Sequence, residues 1–186
     1  MKITLVRHGQ TIENANRIVQ GQLDGTLSEL GKQQAIETAE KLRNTKFDYI
    51  YCSDLGRCKQ TAKEIIKFHQ KTPIQYSSEL REMNFGDFQG APSRDYLWDE
   101  LPGNFETRRA PNGENGLEFQ KRVIDYTNNL LEEHPDDSML LITHGGVMKI
   151  LKSHIEKLDY EATIKSECAN CEIWEYNLDA PLEFEL

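Results

Sequence analysis

The sequence is poor in positive charge. Only 22 Lys and Arg stand against 31 Asp and Glu, a formal net charge of −9. Attraction to a polyanion is a sum over many cations, so this balance argues against nucleic acid or an anionic membrane surface as a partner. Long apolar runs are also missing. The opening run that ends at Val6 is too short for the core of a signal peptide, and no stretch approaches the roughly 20 apolar residues of a membrane span. A cytoplasmic location is expected. Cysteine is scarce, four residues in a chain of 186, whereas disulfide scaffolds are smaller and richer in it, so Cys52, Cys58, Cys168 and Cys171 are expected as free thiols. Cys168-Ala-Asn-Cys171 has half of a zinc-ribbon spacing and no second half, which gives no metal site. Repeats, low-complexity tracts and linkers are absent.

What is present suits one well-filled core. The apolar fraction of 38% includes seven Phe, seven Tyr and two Trp, enough large side chains to offset chain entropy in a single domain over residues 1–186. Lys2 to Val6 reads as a buried strand that stops at Arg7-His8-Gly9. Ser28 caps a helix to about Arg43, with Leu30, Ala35, Ile36, Ala39 and Leu42 on one face. Asp48 to Cys52 is a second strand. Ser53 or Asp54 can cap a further helix whose inner stripe is Cys58, Ala62, Ile65, Ile66 and His69. A short strand at Ile74 to Tyr76 precedes Leu80-Arg81-Glu82 and then a Gly- and Pro-punctuated excursion at about residues 87–115. Excursions of this length are commonly lids or caps, and Phe88, Tyr96, Leu97, Trp98 and Leu101 make a packed cap the expectation here. Leu117 to Leu131 returns to helical spacing, and Ser138 to Thr143 is a strand ending at His144-Gly145-Gly146. A last strand is expected at Glu172 to Tyr176. Alternating strands and helices imply an α/β fold of three layers, α/β/α, with a mostly parallel central sheet.

In such sheets ligands bind beyond the carboxyl ends of the strands. Arg7-His8 follows the first strand, Arg57 lies one helical turn past the second, and His144 follows the strand Ser138 to Thr143. Two Arg and two His would meet at one sheet edge. Arg forks pair with phosphate oxygens bidentately, and helix starts near Ser53 and Gly145 would aim free N–H groups the same way, so the natural ligand is a phosphoryl group. A neutral imidazole can attack phosphorus directly when its other nitrogen is held by a hydrogen bond. Glu82 is the candidate acid for the leaving oxygen, the competing reading being a solvated loop carboxylate. Since Arg and His supply the charge that a divalent cation would otherwise bring, no metal and no cofactor are expected. His69, His134 and His154 read as structural or solvent-facing.

These residues resemble the histidine phosphatase superfamily, the phosphoglycerate mutase-like fold. The resemblance is carried by Leu5-Val6-Arg7-His8-Gly9-Gln10-Thr11 with Asn14, Gln20-Gly21, Asp24 and Leu27 to Gly31. It continues through Tyr51 to Arg57 with Thr61-Ala62, Leu80-Arg81-Glu82, Phe85 to Gly90 and Thr143 to Gly146. It implies that His8 becomes a phosphohistidine, that Arg7, Arg57 and His144 bind the phosphoryl group, and that Glu82 is the acid and later the base. It further implies that Asn14 touches the phosphate and that Gln20 and Gly21 lie by the substrate; position alone would make Asn14 a helix-cap residue. Gln20-Gly21 and the short segment from Glu82 to Gly90 are similar to phosphatase members. The expected activity is therefore hydrolysis of a small phosphorylated metabolite. The alternatives are a mutase using 2,3-bisphosphoglycerate or a non-catalytic phospholigand binder, and a binder should have lost His8 or Glu82.

Overall fold

The computed structural model describes residues 1–95 and 98–184, with the Arg94 side chain excepted. Tyr96 and Leu97, two of the residues assigned to a packed cap, lie outside the described residues. The described chain runs β1 (Lys2–Arg7), α1 (Ile12–Ala15), α2 (Glu29–Leu42), β2 (Tyr49–Ser53), α3 (Gly56–Ile65), β3 (Ile74–Ser77), α4 (Gly116–Glu133), β4 (Ser138–Thr143), α5 (Gly145–Ile155), α6 (Tyr160–Lys165) and β5 (Ile173–Asn177). The strands form one sheet in the order β3-β2-β4-β1-β5. β3, β2, β4 and β1 are parallel and β5 is antiparallel to β1. The sheet is thus mixed but mostly parallel, and the carboxyl ends of β1, β2 and β4 share one edge.

Alternation along the strands sorts side chains to two faces. Ile3, Leu5, Tyr51, Met139 and Leu141 pack with Phe119, Val123 and Ile124 of α4 and Val147, Met148, Ile150 and Leu151 of α5. Val6, Ile50, Cys52, Leu140 and Ile142 pack with Ala39 and Leu42 of α2 and Cys58, Ala62 and Ile65 of α3. Helices therefore cover both faces, the three-layer arrangement expected. All four cysteines are free and buried. Among the described residues no helix is long and apolar enough to cross a membrane.

Local expectations in α2 and α3 need correction. The buried face of α2 consists of Gly31, Ala35, Thr38, Ala39 and Leu42, whereas Leu30 and Ile36 are 54% and 44% exposed. The helix crosses the loop after β1 so closely that a Cβ on Gly31 would lie 1.9 Å from the Gln10 carbonyl oxygen. Small residues face inward there and the larger ones turn out. In α3, neither Ser53 nor Asp54 caps the helix. Its N-cap is Leu55, with no side-chain cap bond, because Asp54 binds Arg81 through Nε and Nη2 at 2.6 and 2.5 Å. Asp24 does the capping from a distant loop: its Oδ1 accepts from Gly56 N–H at 3.0 Å and its carbonyl from Arg57 N–H at 3.1 Å. The start of α3 is thereby taken up within the protein, contrary to the reading that it would offer free N–H groups to an anion. Ile66 and His69 fall beyond the helix, which ends at Ile65, and His69 packs against Phe47 with ring centroids 5.2 Å apart.

The excursion is irregular, with one-turn pieces at Gly86–Phe88, Ser93–Asp95 and Trp98–Glu100. Trp98 is buried and meets Phe85 edge to face at 6.1 Å. The segment ends at Asn115, which closes a capping box with Glu118 at the start of α4.

Candidate active site

His8, the first residue after β1, is almost fully buried at 3% exposure. Its Nδ1 lies 2.8 Å from the Gly9 carbonyl oxygen. A carbonyl only accepts, so the hydrogen is assigned to Nδ1 and the lone pair to Nε2. Arg57 Nε–H points at that lone pair from 3.1 Å, and equally at His144 Nδ1 from 3.1 Å. His144 in turn places Nε2 2.8 Å from Ser53 Oγ, so its hydrogen is assigned to Nε2. One buried guanidinium thus sits between two imidazoles whose centroids are 5.2 Å apart. Burial above all, then the positive charges of Arg57 and Arg7, holds His8 well below its ordinary value of 6.5, against the opposing bond to Gly9. Burial, Arg57 and His8 do the same to His144. Both rings are neutral near pH 7, and one of them presents a nucleophilic nitrogen.

Arg57 is 1% exposed and its fork is held by backbone. Nη2 donates to the Gly21 carbonyl at 2.7 Å and Nη1 to the Leu23 carbonyl at 2.5 Å. Gly21 supplies its carbonyl from a left-handed conformation, φ +50°, and a Cβ there would lie 2.2 Å from Gln89 Oε1. Only glycine turns that carbonyl toward Arg57 without strain. Arg7 donates through Nη1 to the Cys168 carbonyl, while its buried Nε has no hydrogen-bond partner among the described residues. Gly145, the first residue of α5, lies against Arg7, with an added Cβ falling 3.4 Å from Nε. An unsatisfied N–H of a guanidinium beside a helix start is a place for an anionic oxygen.

Glu82 stands one residue further along the same helix start. Its Oε2 accepts from Gly146 N–H at 3.1 Å and its Oε1 from Met83 N–H at 3.0 Å. A Cβ on Gly146 would lie 2.1 Å from Glu82 Oε1, so the carboxylate packs onto bare backbone. Glu82 is therefore not a solvated loop residue. Arg122 of α4 braces its segment, donating to the carbonyls of Glu79 at 2.7 Å, Arg81 at 3.0 Å and Glu82 at 3.4 Å, and pairing with Glu114 at 2.7 Å.

The geometry thus gathers His8, Arg57, His144 and Gly21 directly, with Arg7, Gly145 and Glu82 beside them. Asn14 and Gln20 make no direct side-chain hydrogen bond to that group among the described residues, although Gln20 Oε1 and Arg57 Cδ both crowd Gly25. The Asn14 carboxamide oxygen closes a capping box with Thr11 at the start of α1 and reaches His8 only through Asn170, whose Nδ2 lies 3.1 Å from the His8 carbonyl and 3.4 Å from Asn14 Oδ1. Gln20 is buried, with Oε1 under Gly25 and no hydrogen-bond partner among the described residues. Sequence reasoning missed Ser53 as the partner of His144, Asp24 as the cap of α3, Asn170 and Arg122. It also missed Thr61, which accepts from Gly9 N–H at 3.0 Å. Each acts across more than 30 residues of chain, and no local spacing announces it. Among the described residues no group of three or more His, Cys, Asp or Glu is placed to hold a metal ion.

The family model of the histidine phosphatase superfamily (branch 1) matches residues 3–181. A protein of Yersinia pestis (strain Pestoides F) named "Probable phosphoglycerate mutase GpmB" is 33% identical over 179 residues, covering 93% of this chain and 83% of that one. Among solved structures, a mycobacterial glucosyl-3-phosphoglycerate phosphatase superposes with a TM-score of 0.77 at 28% identity, over 94% of this chain and 88% of that chain. The α-ribazole phosphatase of Shigella flexneri has the same fold, with a TM-score of 0.87 at 24% identity over 98% and 93% of the two chains.

Proposed function

This chain belongs to the histidine phosphatase superfamily, and on that premise we propose that it hydrolyses a small phosphomonoester through a phosphohistidine on His8. The observation that carries the reading is the setting of His8: its Nδ1–H is tied to the Gly9 carbonyl, its Nε2 lone pair faces Arg57 Nε–H, a donor that a phosphoryl oxygen would draw away, and burial with two arginines disfavours the charged ring. When the phosphoryl group enters, Arg57 Nε–H turns from the two imidazoles to its oxygens, joined by Arg7, the Gly145 N–H of α5 and His144 as its Nδ1–H tautomer with Ser53 donating to Nε2, and these donors grow in value as negative charge spreads over those oxygens in the transition state. His8 Nε2 bonds to phosphorus as the ester P–O bond breaks, and the departing oxygen takes the proton of the Glu82 carboxyl group. Water then attacks the phosphorus, its proton passes to the Glu82 carboxylate, and the N–P bond breaks to return neutral His8 and inorganic phosphate.

Hydrolysis is favoured over phosphoryl return by the space beyond Glu82. Its wall is dominated by aromatic side chains, among them Phe85, Trp98, Phe105 and Phe119. A hydroxylated three-carbon acid would exchange hydration there for mostly apolar wall, with only the Lys149 and Lys165 amines to meet its carboxylate. The 33% identity to a protein named as a mutase makes 2,3-bisphosphoglycerate-dependent isomerisation the reading to test against. The experiment is to follow free phosphate and 2-phosphoglycerate after incubating wild type and His8→Ala with 3-phosphoglycerate, with and without 2,3-bisphosphoglycerate, beside a panel of phosphomonoesters. Phosphate release that falls roughly 10⁴-fold or more in His8→Ala is expected. Formation of 2-phosphoglycerate without release would establish the mutase instead.

A further inference from the structure

The steps above use one side of Glu82. Its other side forms part of the wall of a cavity of about 290 Å³, at the small end of the roughly 300–1,000 Å³ typical of ligand pockets. The cavity has two aromatic corners. Phe85 and Trp98 meet at 90° with centroids 6.1 Å apart, and Phe105 meets Tyr160 at 65° and 5.7 Å. Phe119 forms its floor from α4, buried to 1% exposure. Two amines also line it, and both already have partners. Lys149 Nζ donates to the Ile164 carbonyl at 3.0 Å, and Lys165 lies 5.8 Å over the Phe105 ring and pairs with Glu161 at 2.6 Å. The surface offered to a guest is mostly apolar and aromatic, with the two ammonium groups as its chief polar partners.

Its place relative to the chemistry follows from two adjacent glycines. Gly145 packs on Arg7 and Gly146 on Glu82, so the phosphoryl cradle and the acid rest on successive residues of one helix start. The acid must touch the leaving oxygen. Whatever that oxygen carries continues past Glu82 into the space Glu82 walls. We infer that the alcohol half of the substrate bears a flat, apolar ring that seats between the Phe85–Trp98 and Phe105–Tyr160 corners. This rests on the phosphatase reading of the site. Offset or edge-to-face contact with several rings suits an aromatic guest, while a polyhydroxylated or anionic guest finds few polar partners on these walls.

The test compares 2-phenylethyl phosphate with ethyl phosphate, two esters whose alkoxide leaving groups are similar in basicity, so that any preference reports binding of the ring. Wild type should turn over the phenylethyl ester with a kcat/KM higher by roughly tenfold or more, and the ratio should fall toward one in Phe105→Ala. Tyr160→Leu, at the start of α6, is a second variant should the first fail to fold. Equal kcat/KM for the two esters in wild type, or a ratio untouched in the folded variants, overturns the inference. If wild type hydrolyses neither ester, the phosphatase reading fails by itself, and calorimetric binding of 2-phenylethylphosphonate against ethylphosphonate decides the pocket. Tighter binding of 2-phenylethylphosphonate, lost in Phe105→Ala, upholds it; equal binding refutes it.

Discussion

The two sides of the site are built differently. On the phosphoryl side, His8, Arg57 and His144 come from the ends of three neighbouring parallel strands or the helix after one of them, and all three are 3% exposed or less. Each is held by backbone or by another buried side chain. On the leaving-group side, Glu82, Phe85, Trp98 and Phe105 come from irregular chain between β3 and α4, Phe119 and Tyr160 join them from α4 and α6, and Phe85 and Phe105 are only half-buried. A rigid cradle for a group that never varies thus sits beside a wall made of segments free to change in sequence. That division is the usual one between scaffold and loop, and it leads us to expect that substitutions on the first side affect every substrate and those on the second discriminate among them.

The sharpest way to break the contrast is at Arg57. Arg57→Met removes the cation between the two imidazoles and leaves the carbonyls of Gly21 and Leu23 without their donor. Phosphate release should fall roughly 10²–10³-fold for every ester tested. Unfolding should become easier by about 1–3 kcal/mol, read by denaturant titration, because buried acceptors are left unpaired. Arg57→Lys restores the charge but not the fork, and should recover stability more than rate. A loss confined to one class of ester would show that Arg57 belongs to substrate selection rather than to the cradle.

Arg122 probes the other side. It touches no part of the cradle, yet three backbone carbonyls up to Glu82 converge on its guanidinium. Arg122→Met should loosen the acid, lowering kcat roughly tenfold with little change in KM. The deficit should be large for alkyl phosphates, which need a proton on the leaving oxygen, and small for 4-nitrophenyl phosphate, which departs without one. A uniform deficit across leaving groups would mean that Arg122 supports the fold alone.

The same contrast explains what was legible in the sequence. The strands carry strict apolar patterns and end in Arg, His and Gly, so sheet, layers and the quartet Arg7, His8, Arg57 and His144 could be read from spacing. Glu82 could be placed but not distinguished from a solvated loop carboxylate, because what fixes it is a helix start more than 60 residues away. Asp24 and Ser53 show the limit most clearly. Ser53 has the right chemistry to cap α3, yet His144 claims its hydroxyl and Asp24 arrives from another loop to do the capping. Local rules name the residues able to cap a helix; tertiary structure decides which one does. Leu30 and Ile36 failed for a related reason, since helical periodicity identifies a face but not how closely another segment will press on it.

The smallest effect concerns the buried imidazoles themselves. In the folded protein His8 and His144 titrate well below 6.5, through burial first and neighbouring positive charge second. In the unfolded chain they titrate near that value. Below about pH 6.5 the unfolded chain therefore binds protons that the native state refuses, and stability declines as pH falls; above it both states are neutral at these positions and the contribution is flat. Melting temperatures of wild type should drop by a few degrees between about pH 7 and pH 5.5, and those of His8→Gln/His144→Gln should drop less. Activity on a small ester should fall over the same acidic range but with its midpoint below 6.5, since a protonated His8 has no lone pair to give. An activity midpoint at or above 6.5 would mean that burial and the two arginines do not hold His8 neutral, and the basis for making it the nucleophile would go with them.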